Sequence, residues 1–216
     1  MTKQFQDRIE AGRLLAKRLK ATYADRSDVL VLGLPRGGVP VAYEVAKVLH
    51  APLDICIVRK LGVPGNKELA MGAIALGGIM VMNENLVKSL TICQKAIAKV
   101  VATEQQELER RDHLYRGTRP VPDLTHRTII IIDDGIATGS TLKAALSTIK
   151  QQQPERIVVA VPVAPPQIRQ ELKREVDEVV CLLSPENFYA IGLWYNDFSP
   201  TTDAEVSNLL QQATSN

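Results

Sequence analysis

Thr128-Ile-Ile-Ile-Ile-Asp-Asp-Gly-Ile-Ala-Thr-Gly-Ser-Thr141 is the stretch that decides the fold. Four consecutive isoleucines read as a short strand buried on both faces, the habit of parallel sheets. The run passes into two carboxylates, then a loop of small residues, then a segment that predicts a helix to about residue 152. In a parallel α/β sheet, ligands bind beyond the carboxyl ends of the strands. Asp133 and Asp134 stand at such an end. Adjacent carboxylates there cost free energy unless they are hydrogen-bonded or paired with a cation. Sugar hydroxyls or a hydrated Mg²⁺ would meet that need. The backbone N–H groups of residues 137–141 and the positive helix end make an anion site, and the hydroxyls of Thr138, Ser140 and Thr141 add donors. Acids beside a phosphate cradle describe a sugar-phosphate pocket. The loop lacks the spacing and the lysine of G-x-x-x-x-G-K-[ST], and it is not a G-x-G-x-x-G turn.

Working outward, the same alternation recurs. Apolar residues at helical spacing (Phe5, Ile9, Gly12, Ala16, Leu19) predict a helix over 4–21. A strand is predicted over 29–34, a helix over 39–49 and a strand over 53–58. Residues 59–83 open on Arg59 and Lys60, the following Gly62, Pro64, Gly65 and Asn66 suit a mobile loop, and Met71–Leu76 and Ile79–Met82 flank Gly77-Gly78 as a hairpin. One long helix is predicted over 85–114, then strands over 157–161 and 176–182, with a helix opened by Pro165-Pro166 between them. A closing helix is predicted over 202–212. Strands alternating with helices indicate an α/β fold, a mostly parallel sheet flanked by helices. We read residues 1–216 as a single domain, with a core over about 22–183, then a C-terminal segment over 184–200 and a last helix.

Composition narrows the function. Lys+Arg is 26 against 24 Asp+Glu, so the formal net charge of +2 offers no strong field for nucleic acid or anionic membrane. The three cysteines, Cys56, Cys93 and Cys181, form no C-x-x-C and read as reduced, mostly buried thiols. The histidines show no zinc spacing. With no apolar segment behind the polar N-terminus, a cytoplasmic protein is expected.

Three further elements carry chemistry. In Gly33-Leu-Pro-Arg-Gly-Gly-Val-Pro40, Gly37 and Gly38 let backbone approach a ligand, and Arg36 can clamp phosphate oxygens. In Arg59-Lys60-Leu-Gly-Val-Pro-Gly65, two cations at a strand end could neutralise a diphosphate, and the glycines would let a loop close. In Asn187–Phe198, a chain with only 4% aromatics concentrates Phe188, Tyr189 and Trp194, a surface suited to stacking a planar ring or to ordinary packing.

The first stretch resembles the phosphoribosyl-pyrophosphate (PRPP) signature of type I phosphoribosyltransferases: four apolar residues, two acids, two mostly apolar residues, then x-Thr-Gly-x-Thr. The resemblance implies the fold of that family, with a flexible loop and a C-terminal hood. It implies ribose hydroxyls and Mg²⁺ on Asp133 and Asp134, and the 5′-phosphate on Ala137, Thr138, Gly139, Ser140 and Thr141. It implies pyrophosphate on Arg36, Gly37 and Gly38, where a sometimes cis peptide precedes the helix, and on Arg59 and Lys60. The hood, with Phe188, Tyr189 and Trp194, would stack on a base. The activity implied is transfer of 5-phosphoribosyl from PRPP to a nitrogen acceptor, with a homodimer as assembly. The position of Ala137 is an aspartate in hypoxanthine-guanine enzymes, and no proton acceptor for the base is identified here. Glu68 is close to where adenine enzymes place one. The whole chain is similar to a stand-alone branch known only by its phosphoribosyltransferase domain, some members of which are fused to an α/β-hydrolase domain that this length does not hold. A PRPP-binding regulatory protein and a phosphosugar hydrolase are the alternatives.

Overall fold

The structure, a computed structural model, describes residues 4–214 apart from the side chains of Lys67 and Glu68. The strands are β1 (Val29–Gly33), β2 (Leu53–Ile55), β3 (Val58–Val63), β4 (Asn66–Ala75), β5 (Met80–Met82), β6 (Thr128–Ile132), β7 (Arg156–Val163) and β8 (Glu178–Leu183). The α-helices are α1 (Arg8–Tyr23), α2 (Gly38–Leu49), α3 (Glu84–Ser89), α4 (Gln94–Arg116), α5 (Ser140–Lys150), α6 (Pro166–Leu172) and α7 (Asp203–Thr214). The chain forms two compact units. One comprises the residues up to Cys56, Leu124–Gly139 and Pro154 onward; the other comprises Ile57–Asp123 and Ser140–Gln153.

The first unit is built on a parallel five-stranded sheet in the order β2-β1-β6-β7-β8. Ile129, Ile130, Ile131 and Ile132 have no exposed surface, which is why this strand reads as an unbroken apolar run. Each such side chain contributes about 1.5–3 kcal/mol by leaving water. Helices α1 and α2 pack on each other, and both reach the sheet. Gly12 permits that pairing, since a Cβ there would lie 2.8 Å from the Val41 carbonyl oxygen. The predicted α/β class and its parallel sheet are as found.

Helix α1 starts later than its apolar spacing predicts. Asp7 caps it, accepting from the Glu10 N–H at 2.8 Å. Phe5 instead stays extended, giving its N–H to the Trp194 carbonyl and accepting from the Asn196 N–H, both at 2.8 Å. A distant strand-like partner outbids the local helix there.

The second unit holds a three-stranded antiparallel sheet, β3-β4-β5, with α4 and α5 packed on its strands. The predicted hairpin around Gly77 is present as β4 and β5. The stretch expected to be an open loop from Arg59 on is largely strand: β3 and β4 pair from Val58–Ala75 to Val63–Asn66, with register shifts at Gly62. The predicted strand over 53–58 is in fact two pieces in two different sheets. Its ladder ends when the Cys56 N–H bonds to the Gly33 carbonyl. The predicted helix over 85–114 is also two helices. Asn83 caps α3, accepting from the Leu86 N–H at 3.1 Å, and Thr91 adopts a left-handed φ of 50° that ends it. Cysteines are free, with Cys56 buried but Cys93 exposed. No described helix is long and apolar enough to cross a membrane.

Candidate active site

The sheet order places β1 and β6 side by side, and the chain turns in opposite directions from them, β1 to β2 and β6 to β7. That is a topological switch point, where loops at the carboxyl ends diverge and leave a crevice. The register pairs Gly33 with Ile132, the last residues of the two strands. Two motifs nearly a hundred positions apart in sequence therefore leave the sheet together. Leu34 donates its N–H to the Ile132 carbonyl at 2.9 Å, which holds the first loop against the end of β6.

Gly37 and Gly38 pack directly on the acids. A Cβ at Gly37 would overlap the Asp134 carboxylate. At Gly38 it would lie 2.6 Å from the Ile132 carbonyl oxygen and 2.8 Å from the Asp133 Cα. Gly37 has an ordinary φ of −62°, so it is needed for space and not for its backbone freedom. The Pro35–Arg36 peptide that precedes them is cis. Arg36 itself points an exposed guanidinium toward Asp203, 3.8 Å away.

The two carboxylates are not equivalent. Asp133 is half-buried, and its Oδ1 accepts the Asp134 N–H at 2.9 Å. Asp134 is buried, and its Oδ2 takes Nε and Nη2 of Arg8, each at 2.8 Å. Burial pushes both carboxyls above the ordinary carboxylate range. At Asp133 the Asp134 charge adds to that rise, whereas at Asp134 the Arg8 guanidinium opposes it. Tyr195 donates its hydroxyl to the Asp134 carbonyl at 2.5 Å, and burial raises its pKa, so it remains a donor. Sequence reading missed Arg8 entirely. It lies 126 positions from Asp134, in a polar N-terminal stretch with no motif to mark it.

The aromatic segment is split by the fold. Trp194 packs, with Phe198, against a cluster of Phe5, Ala11 and Tyr195, and its Nε1 is buried without a hydrogen-bond partner. Phe198 lies under Arg8, with the guanidinium carbon 4.0 Å from the ring centre. Phe188 is half-buried and Tyr189 is 84% exposed, so these two keep open faces.

In the loop after β6, Ala137 and Thr138 are exposed, while Gly139 is buried with a φ of 72°. That left-handed turn delivers the chain into α5 at Ser140. In the second unit, Arg59 and Lys60 are neighbours on β3 and so project to opposite faces. Arg59 is held by Glu104, with Nε–Oε2 at 2.7 Å. Lys60 lies with Ser140 and Lys143 along a cavity of about 510 Å³. The Glu68 side chain lies outside the described residues. Among the described residues no three His, Cys, Asp or Glu side chains cluster. Mg²⁺ commonly keeps its waters and takes one or two carboxylates plus substrate phosphates. An acid pair fits an ion shared in that way, and it does not fit an all-protein cage.

A parallel sheet whose switch point brings two acids, a loop of small residues and a double glycine together defines an α/β protein with a candidate ligand site at the carboxyl ends of its strands. The chain matches the phosphoribosyl transferase domain over residues 1–193, and it belongs to that family. Two curated relatives from Mycobacterium tuberculosis strains, both provisionally named phosphoribosyl transferases, are 46% identical over 211 residues, covering 98% of this chain. The chain spans about half the length of the curated relatives it matches, 47% of each. The solved structure of TT1426 from Thermus thermophilus is 42% identical, with a TM-score of 0.87 over 97% of this chain and 98% of that one. The AQ2163 protein of Aquifex aeolicus shares the fold at 16% identity, with a TM-score of 0.52 over 86% of this chain and 78% of that one.

Proposed function

We propose that the protein is a Mg²⁺-dependent phosphoribosyltransferase that moves 5-phosphoribosyl from PRPP to a nitrogen of a base or related acceptor. The observation that carries this reading is the packing of Gly37 and Gly38 against Asp134 and Asp133 at the switch point. It supports a single pocket in which ribose hydroxyls meet the acids and the leaving diphosphate meets bare backbone and Arg36. The 5′-phosphate takes the N–H groups of residues 137–141, where Gly139 sets the turn. In the reaction the bond from C1 of the ribose to the diphosphate oxygen breaks and a bond from C1 to the acceptor nitrogen forms. Positive charge grows on the ribose as diphosphate leaves, and the nitrogen loses its proton to solvent. Carboxylates near the growing charge, and N–H groups near the departing one, lower the barrier by positioning and by electrostatics. Asp133 and Asp134 would hold Mg²⁺ together with the substrate, and the ion would neutralise diphosphate charge. Arg59 and Lys60 are proposed as further diphosphate contacts, and Phe188 and Tyr189 as stacking faces for the acceptor. Trp194, half-buried against Phe5 and Tyr195, is proposed as a weaker third face.

A second reading is a PRPP-binding regulator without transferase activity. It draws on Ala137, which is exposed and carries no proton-accepting group. One screen separates the two. The protein is incubated with PRPP, Mg²⁺ and a panel of purines, pyrimidines and small nitrogen nucleophiles, and pyrophosphate and ribosylated product are measured. Acceptor-dependent product supports transfer, and binding without turnover supports the regulator. Asp133→Asn should weaken PRPP binding at least tenfold, a loss of about 1.4 kcal/mol. Unchanged affinity by titration calorimetry would overturn the ribose assignment.

A further inference from the structure

Arg8 makes more contacts with this site than any role assigned so far requires. Its Nε and Nη2 both reach Asp134 Oδ2 at 2.8 Å, and its Nη1 gives a hydrogen bond to the Ser199 carbonyl, also at 2.8 Å. Its flat face lies on Phe198, 4.0 Å from the ring centre. Both partners in the ion pair have side chains only 11% exposed. Such a pair is held as a unit, because removing one partner strands the other's charge. A guanidinium suits this place, since its planar fork can serve several acceptors and stack at once. Next to it, Tyr195 ties the same aspartate through its backbone carbonyl, and Phe5 ties the backbone of Trp194.

We propose that Arg8 is a positioning residue: one guanidinium straps the aromatic C-terminal segment around Phe198 to the acid at the end of β6. Resting on the reading of this pocket as a PRPP site, the strap sets the acceptor-facing segment and the ribose-facing acid relative to each other. It also makes the two acids unequal, since the Arg8 guanidinium bonds Asp134 directly.

The test is a double-mutant cycle with Arg8→Gln, Asp134→Asn and the pair, with Arg8→Lys alongside. Trp194 is the single tryptophan, so acrylamide quenching of its fluorescence reports the segment without any ligand. At temperatures where circular dichroism shows all variants folded, Arg8→Gln should raise quenching and should weaken PRPP at least tenfold. Arg8→Lys should keep the charge yet fail to restore the low wild-type quenching, because a single ammonium nitrogen has no planar fork to span Asp134 and Ser199 while stacking on Phe198. Arg8→Gln should add little on top of Asp134→Asn, the sign of one shared interaction. Additive effects, or unchanged quenching in Arg8→Gln, would overturn the strap. Should the wild-type protein bind no PRPP, the proposed function falls, and the quenching cycle still decides the strap. A variant that does not fold at Gln is replaced by Arg8→Met in the same cycle.

Discussion

Replacing Gly38 by alanine tests the packing that joins the two motifs. A Cβ at this position would sit 2.6 Å from the Ile132 carbonyl oxygen and 2.8 Å from the Asp133 Cα, where ordinary contact begins near 3.4 Å. Both neighbours are backbone, so no side chain can rotate out of the way. Either the first turn of α2 or the end of β6 must move. Overpacking of this kind costs about 1–3 kcal/mol. Restricting the unfolded chain by replacing glycine returns about 0.4–1 kcal/mol. The overlap therefore wins, and a net loss of about 1–2 kcal/mol should lower the melting temperature by roughly 2–8 °C for a chain of this size. The acids would be displaced in the same motion, so PRPP affinity should fall together with stability. The assay is thermal unfolding by circular dichroism paired with titration calorimetry, on Gly38→Ala and then Gly38→Val. Loss should deepen with side-chain size. A melting temperature that rises or holds, with unchanged affinity, would refute the close approach of the loop after β1 to the end of β6.

Gly139→Val places a β-branched residue at a φ of 72°, which should cost about 1–2 kcal/mol of stability and abolish PRPP binding; a variant with wild-type affinity would contradict the anion loop. Arg26 and Thr128 hold the Asp28 carboxyl down to about 2 from an ordinary 3.8. Because the folded value lies below the unfolded one, this contribution is complete above pH 3.8 and is lost as pH falls through about 2. Asp28→Asn should therefore flatten the acid limb of the stability curve between those values, measured by urea unfolding at each pH; an unchanged slope would count against the Arg26–Asp28 pair.

The sequence alone was enough for the central strand. Four isoleucines in a row can satisfy only a position buried on both faces, and Asp133 and Asp134 at its end are two charges that demand hydrogen-bond or cationic partners. The glycine pair at 37–38 and the T-G-S-T loop were legible for the same reason: each is a local demand for bare backbone. Helix and strand positions followed from spacing wherever local preference and tertiary surroundings agreed. They failed where the surroundings overruled it. Phe5 was drawn out of α1 by an extended partner at 194–196, and the strand over 53–58 was divided between two sheets, which periodicity of two cannot reveal.

Tertiary structure alone decided the inequality of the two acids. Nothing local distinguishes Asp133 from Asp134, since both are carboxylates at the end of one strand. The difference comes from Arg8, Tyr195 and Gly37, which converge on Asp134 from three separate parts of the chain. The same holds for Trp194, marked by its rarity in the sequence and packed against Phe5 and Tyr195 only in the fold. A sequence records which groups need a partner; only the folded chain, by bringing distant segments within a few ångströms, determines which partner answers.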